Sequence, residues 1–479
     1  MGVSPSLEIA KRALIAQRLG LDATSGNIAN VNTPGYSRRS PTLREGEPLP
    51  SRNGFVGNGV LVSKLRTFRE EFFDRQIRRS TSHLNTLETD DTIIQRLSVI
   101  FGEPGENTLN SIVNDFLNSF EDLSYKPTDV SLRQRTVNLA QTLVSRFKEI
   151  ATQLQETRKQ VLADINDSVT QANKLIKEIA DLNFKIASTK SKLDGDNQTL
   201  YDQREAKIEE LSKLVEVNVT QGDYGTVNVF INGINVVTGS NYNQLKLKET
   251  IDPTTQERTL SVLKIDKTGK ELATINLQNG KLFSLIEHYN TTLDDKDSSS
   301  KFSVATTLEK YFSTLVNKVN SIAETGYGLD DLTPPPPGRS IFTYSGTQSI
   351  ATTNVNSEII SDPRKLPISG YPGETGDSTI ARQISALSND SSFLDGQTPD
   401  EYITNLIGQI GNLGDQISSL YSIAKTANEQ LLNQRESLIG VNLDEEAINL
   451  MKFQKAFEAA SRVVTTTNDI LSTLVNLGR

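Results

Sequence analysis

Residues 440–479 read GVNLDEEAINLMKFQKAFEAASRVVTTTNDILSTLVNLGR, and this stretch decides the fold. An apolar residue returns at every seventh position, Leu443, Leu450, Phe457, Val464 and Leu471, while Phe453, Ala460 and Leu474 follow stripe positions by three. That is the a/d spacing of a helix whose apolar face needs a partner helix. Ala456, Val463, Ile470 and Leu477 form another seven-spaced row beside the first. A helix apolar on more than one side can touch two neighbours together.

The opposite end of the chain carries a thinner version, Leu7, Leu14, Leu21 and Ile28. Gln17 and Thr24 take the positions three after Leu14 and Leu21, and Gly20 weakens the helix. Ser4 is placed to cap this helix with Pro5 at its first position, and the pattern runs to about Asn27. Asn30, Val31, Asn32, Thr33, Pro34 and Gly35 stop it, because Pro34 disfavours helix at Thr33 and Gly35 supplies a turn. The two ends are expected to pair with each other. Lys11, Arg12 and Arg18 on one and Asp444, Glu445 and Glu446 on the other permit complementary charges, which contribute little at a surface. Burial is worth about 1.5–3 kcal/mol per large apolar residue, while isolated helices of this length are marginal in water. The ends are therefore expected to be poorly ordered in the single subunit and to order on assembly.

Between the ends the chain is mainly α with inserted antiparallel β. Residues 40–68 are rich in Gly and Pro with short alternating pieces, which predicts loops, short strands and a hairpin. Helical spacing returns over 70–100 and 109–120, and most strongly over Val130 to Lys190, a proline-free run that would reach about 90 Å. A short helix is expected over Asp202 to Leu214. The period then falls from 3.6 to 2: Val215, Val217 and Val219 alternate, as do Val227, Val229 and Ile231, and Asn232-Gly233 is a hairpin turn. Further strands fit 244–247, 259–265 and 271–277. Helices follow at 303–324, 381–387 and 401–436, separated by a breaker-rich segment whose Pro334 to Pro337 run should be stiff and extended. The expected organisation is 1–35 paired with 440–479, 36–214 paired with 301–439 as a long-helix bundle domain, and 215–290 as an outer β domain.

Bulk properties remove several function classes. The 479 residues carry a net charge of -9 with no basic cluster, which argues against nucleic acid as a partner. Cysteine is absent, so disulfide frameworks and thiolate chemistry are excluded. The first residues show no secretory signal, and no stretch approaches the roughly 20 apolar residues of a membrane span, so no membrane insertion is expected. His83 and His288 are isolated in sequence, and no phosphate-binding loop is present. Gly408, Gly411 and Gly414 lack dinucleotide-loop spacing and are expected to permit close helix approach or a helix break. Asp194, Asp196, Gln198, Asp202 and Glu205 fall at calcium-loop offsets, but Thr199 stands where the sharp turn needs glycine. Asp330 and Asp331 read as turn residues. No catalytic, cofactor-binding or metal-binding set emerges, and no cofactor is expected.

The segment Ala13 to Gln17, Leu21-Asp22 and above all Gly26-Asn27-Ile28-Ala29-Asn30-Val31-Asn32-Thr33-Pro34-Gly35-Tyr36-Ser37-Arg38 resembles the rod and hook family of bacterial flagellar axial proteins. Gly440 to Glu446, Leu450, Phe453-Gln454, Ala456-Phe457 and Ala459 to Val463 resemble its other end. The middle, with Asn197 to Leu200, Asp202-Gln203-Arg204, Glu210-Leu211-Ser212 and Val227 to Val229, is similar to the hook-filament junction members. The long helical region favours these over hook or distal rod members. A secreted adhesin or enzyme on a helical stalk would need a polar constellation that is not recognisable.

The resemblance implies an elongated axial subunit whose terminal helices build a coiled-coil inner layer around an export channel. It implies export through the flagellar type III apparatus without a cleaved signal, and assembly as a ring of about eleven subunits at the extracellular hook end. The flagellar hook protein, hook-associated protein 3 and an export chaperone are the implied partners. Leu7, Leu14, Leu21, Ile28, Leu443, Leu450, Phe453, Phe457, Val464, Leu471 and Leu474 are then assembly-interface residues. Asn27, Asn30, Asn32, Pro34 and Gly35 end the inner helix and turn the chain outward, with asparagine side chains satisfying exposed backbone groups.

Overall fold

A computed structural model describes residues 3–33, 36–51, 54–67, 71–102, 108–190, 198–251, 253, 258–294, 302–346 and 349–477. The first helix, α1 (Val3–Ala29), includes Ser4 at its second position. A long hairpin follows, made of β1 (Arg39–Glu45), β2 (Leu49–Ser51), β3 (Gly54–Val56) and β4 (Val60–Thr67). In it β1 pairs antiparallel with β4, and β2 with β3. The hairpin lies along α1: Arg12 Nη1 donates to Asn58 O at 3.1 Å, and a Cβ on Gly59 would stand 3.3 Å from Ile9.

Three helices then stack, α2 (Glu71–Phe101), α3 (Leu109–Tyr125) and α4 (Val130–Lys190). Thr108 caps α3 by accepting from Ser111 N at 3.2 Å, and Leu109, Ile112, Val113, Phe116, Leu117, Phe120 and Leu123 form its buried stripe. With 61 residues α4 is about 90 Å long, which sets a lower bound on the length of the molecule. The next helix, α5 (Gln198–Leu214), starts four residues before its expected position and lies against α4.

Strands β5 (Val217–Gln221), β6 (Val227–Ile231), β7 (Ile234–Thr238) and β8 (Asn241–Tyr242) form one antiparallel sheet in sequence order. The β6–β7 turn has Asn232 at φ 43° and Gly233 at φ 78°, the pair of left-handed residues that an Asn-Gly hairpin turn requires. Strands β9 (Gln244–Ile251), β10 (Arg258–Ile265) and β11 (Glu271–Ile275) form a second sheet with β10 central. The following helix, α6 (Lys281–Asn290), packs on α2 and α4. It lies where the period-2 reading extended the β region to residue 290.

Ser303 caps α7 (Val304–Ala323). The breaker-rich segment holds a two-stranded sheet, β12 (Phe342–Tyr344) with β13 (Thr353–Val355), and the short helix α8 (Ser357–Ser361). The proline run bends at 333–335 and does not stay extended. Then come α9 (Thr379–Ala386), α10 (Pro399–Ile439) and α11 (Leu443–Leu477). A capping box opens α10, with Thr398 Oγ1 accepting from Glu401 N and Glu401 Oε2 accepting from Thr398 N. The helix runs unbroken through Gly408 and Gly411, which face open space; only Gly414 meets a neighbour, Ile94 on α2.

One continuous cluster of buried apolar side chains extends from Ile93 to Ile417 and includes both larger sheets and α4. Phe147, Tyr311, Phe312, Phe393 and Tyr402 form its aromatic centre. Among the described residues no side chain of α1 or α11 belongs to this cluster.

A repeated device ties helices to strands. Asn173 on α4 donates to Leu245 O (2.9 Å) and accepts from Leu245 N (2.7 Å). Asn183 does the same at Val227, Asn290 at Leu260 and Asn320 at Phe342. Each carboxamide binds both backbone groups of one strand residue, so those groups stay satisfied under a helix.

Candidate assembly interface

The two chain ends meet as an antiparallel helix pair, with Gly20 opposite Phe453 and Asn27 opposite Glu446. On α1 the residues buried in the seam are small or polar: Ala10, Ala16, Ala23, Thr24 and Asn27. A Cβ on Gly20 would stand 2.5 Å from the Phe453 ring, so the glycine is the hole that receives this knob. Leu7, Leu14, Leu21 and Ile28 are half-buried and flank that seam. On α11, Leu450, Phe453, Phe457, Val464 and Leu471 are half-buried, with Thr467 buried among them. Leu443 is exposed, beyond the point where α1 ends, and the side chain of Leu474 lies outside the described residues.

At the end where α1 stops, a buried polar knot joins three segments. The Asn27 side chain is fully buried and uses all its hydrogen-bonding capacity. Its Nδ2 donates to Arg39 O at 2.9 Å and Glu446 Oε2 at 2.8 Å; its Oδ1 accepts from Arg39 N at 3.0 Å and Tyr36 Oη at 2.9 Å. This is the fifth use of the asparagine-to-strand device. Glu446, 1% exposed, also pairs with Arg38, whose Nε donates to Oε1 at 2.8 Å, while Arg38 Nη1 lies 2.9 Å from Glu445 Oε2. Asn442 caps α11 by accepting from Asp444 N and Glu445 N. Asn30 donates to Gly26 O and accepts from Thr33, closing the last turn of α1; Asn32 is exposed, and Pro34 and Gly35 lie outside the described residues.

The charge pairing expected between the ends is corrected by this geometry. In an antiparallel pair Asp444 to Glu446 lie beside the end of α1, one helix length from Lys11 and Arg12. Arg12 pairs with Glu8, Arg18 with Asp22, and the partner of Glu445 and Glu446 is Arg38. Nothing in the spacing of Glu446 distinguishes it from a residue favoured by the helix dipole. Its one sequence signal is a carboxylate at a seam position, four residues before Leu450.

The pair leaves apolar side chains open to solvent. Ile15 on α1 and Leu443, Ile448, Met451, Val463, Ile470 and Val475 on α11 are all exposed, Ile448 to 61%. In the knot, Arg39 reaches the other way, with Nη2 3.1 Å from Asp202 Oδ2 and 3.2 Å from Thr199 Oγ1 on α5.

The remaining candidate chemistry is tied up structurally. Asp202 and Glu205 of the acidic turn meet Arg39 and Arg78, and Asp194 and Asp196 lie outside the described residues. Asp330 meets Arg364, and Asp331 meets Arg339. His288 is buried, its Nε2 3.0 Å from Asp90 Oδ1, and His83 is exposed. Among the described residues no group of three His, Cys, Asp or Glu is placed to hold a metal ion, and no helix is long and apolar enough to cross a membrane.

Comparison with known proteins gives matches along the whole chain. The model of the flagellar hook-associated protein FlgK helical domain matches residues 94–342. That of the flagella basal body rod protein matches 7–36, and that of the flagellar basal body rod FlgEFG protein C-terminal region matches 438–477. Flagellar hook-associated protein 1 of Bacillus subtilis is 26% identical, covering 98% of this chain and 97% of the relative. The Escherichia coli protein of the same name is 25% identical over 99% of this chain and its whole length. A solved structure, the flagellar hook junction protein FlgK from Burkholderia pseudomallei, superposes with a TM-score of 0.62 at 16% identity, covering 76% of this chain and all of that one. At that identity the superposition speaks for the fold.

Proposed function

The chain belongs to the flagellar hook-associated protein 1 family, and on that premise we propose that it is a structural component joining hook to filament in the bacterial flagellum. What carries the reading is the terminal pair: it is closed inside by a polar knot and a glycine-aromatic contact, yet presents uncovered apolar residues on its outer side. A protein finished within one chain has no use for that surface.

In this reading neighbouring subunits cover it. The half-buried Leu7, Leu14, Leu21 and Ile28, with Leu450, Phe457, Val464 and Leu471, border the contact between adjacent pairs, and Leu443 and Leu474 extend it. A ring of about eleven copies builds an inner tube, with the core-bearing body outside it. The hook protein is the neighbour on one side and hook-associated protein 3 leads toward the filament on the other, all outside the cell. Before export, a chaperone shields the apolar face of α11. Asn27 and Asn30 end the inner helix so that the chain can turn out into the hairpin.

The test compares the full chain with one lacking 1–35 and 440–479. The shortened chain is expected to remain folded, because the apolar core lies between Ile93 and Ile417, and to fail to join hook to filament in a strain lacking the native protein. Normal filament growth on the shortened chain would rule out the assigned role of the ends.

A further inference from the structure

Two surfaces on opposite flanks of the body complement each other. The first is a groove between α2 and α4. Gly414 on α10 meets Ile94 and Ser98, so that side of α2 is taken. On its other side Thr92, Arg96 and Val99 face Gln153 and Thr157 of α4 across a cavity of about 700 Å³. A second cavity of about 350 Å³ shares Thr92 and Arg96 and continues to Asn85, so the groove runs about 22 Å along α2. Ile93, Ile100, Val161 and Leu285 are buried beneath it, while Val99 stands 75% exposed at one end. An apolar floor under a polar rim over that length suits a single helix.

The second surface is the outer side of α10. Ile403, Leu406, Ile410 and Ile417 turn into the body, but beyond Ile417 the helix buries only Asn428. Opposite that row, at 3.6 residues per turn, stand Gly408, Asp415, Ser419 and Thr426, with Ile423 beside them, all exposed. Glycine disfavours a helix interior, and Gly408 and Gly411 have no neighbour within 4 Å to account for them. On a face that admits another backbone closely they are the fitting residues.

Charge sets the two surfaces in register. Arg96 and Glu88 on the groove rim are exposed, as are Asp415 and Lys425 on α10, and none of the four has an ion-pair partner among the described residues. Helix α10 runs antiparallel to α2, with Gly414 beside Ile94 and Asn428 Oδ1 3.3 Å from Thr81 Oγ1. A copy set beside the first in the same orientation therefore brings its Asp415 level with Arg96 and its Lys425 within about a turn of Glu88. Both pairs are opposite in sign.

We propose that in the assembled array α10 of one copy lies in the α2–α4 groove of the next. The contact is heterologous, helix to groove, so it repeats from copy to copy until a ring closes. Its apolar content is small, and it forms only where copies are already held side by side. The inference rests on the assembly reading above and names which surfaces of the body meet in it.

The absence of cysteine allows a direct test. Full chains carrying Arg96→Cys with Asp415→Cys, and separately Glu88→Cys with Lys425→Cys, are expressed in a strain lacking the native protein. Detached hook-and-filament structures are then treated with a short bismaleimide. A control, Arg96→Cys with Lys425→Cys, sets its groups about 15 Å apart along the groove. The expected result is a ladder of covalent multimers of this chain from the first two, and none from the control or from dilute free chains. The charge swap is read as swimming: Arg96→Asp and Asp415→Arg should each reduce it several-fold, and the two together should recover it.

Normal filaments without a ladder overturn the proposal, as do an equal ladder from the control, links to a different protein, or a swap that recovers nothing. Should a cysteine pair block assembly, the swap alone decides. Failure of the unaltered chain to join hook to filament would overturn the junction reading, and this inference with it.

Discussion

The terminal pair and the body solve the same problem, burying apolar side chains, in opposite ways. In the body, large residues converge on a shared interior: Phe116, Phe120, Phe147 and Phe312 have no exposed surface. In the pair, the buried positions are alanine, glycine, threonine, one asparagine and one glutamate, with the Phe453 ring seated on Gly20, while isoleucine, valine and methionine stand outside. A helix pair that spends its small residues inward has close approach and little burial energy; its large apolar residues are left for other molecules. The body is thermodynamically complete, whereas the pair is specified in geometry but left unfinished in energy.

The sharpest way to separate the two regions is to damage each in turn. Phe147→Ala removes a fully buried ring from the aromatic centre and is expected to cost about 3–5 kcal/mol, read as a shift in the main denaturant transition, with the pair following because its platform is lost. Glu446→Ala leaves Asn27 and Arg38 without their buried carboxylate and should cost the pair about 2–3 kcal/mol. Here protease cleavage within α1 and α11 should accelerate while the main transition stays put; a shift of the main transition by the same amount would erase the distinction between the regions.

Gly20→Ala sets two effects against each other. Helix propensity favours alanine by about 1 kcal/mol, but overpacking against a ring 2.5 Å from the new Cβ costs about 1–3 kcal/mol. Loss of pairing should win, and Phe453→Ala combined with it should restore protection of α1.

Acid sharpens the comparison from the body's side. Hydrogen bonds from Lys318, first, and then from Ser392 hold Asp390 at about 2, below its ordinary 3.8. A carboxylate lowered on folding stabilises above its ordinary value, and that contribution is lost as pH falls from near 4 toward 2. Asp390→Asn should therefore flatten the body's stability curve in that window and leave neutral pH behaviour of the pair unaltered. The smallest effect on the single chain is expected from Ile448→Ser with Ile470→Ser, within about 0.5 kcal/mol at exposed sites. If these residues serve neighbours, the same double variant should abolish assembly on hooks; growth of normal filaments on it would remove the pair's special status.

Periodicity alone located most of the elements. The span of α4 from Val130 to Lys190 was legible because sixty-odd residues repeat one spacing without proline, and the β6–β7 turn was legible because Asn-Gly has few other uses. On α11 the d-position Phe453 meets Gly20 of α1, whereas Leu443 of the same spacing is exposed. What periodicity cannot supply is the partner. Gly20 reads as a weak point until Phe453 is set against it, and Glu446 reads as a dipole effect until Asn27 and Arg38 arrive from some 400 positions away. Helix α6 was missed because ten residues bounded by Asn279-Gly280 look like the tail of a strand region. The asparagines were read as turn formers at one place only; their grip on strands depends on which backbone stands opposite, which is a tertiary fact.

The knot at Asn27 also has a history written into it. Its closing carboxylate lies 419 residues downstream, so a chain that emerges N-terminus first offers its opening helix to the surroundings long before the matching piece exists. Parts of the central body whose contacts are nearer in sequence, such as α4 with α5 and the two larger sheets, can settle during that interval, and the inner pair is assembled last. Synthesis order thus supplies a natural delay, keeping the adhesive ends apart until the rest of the molecule is in place.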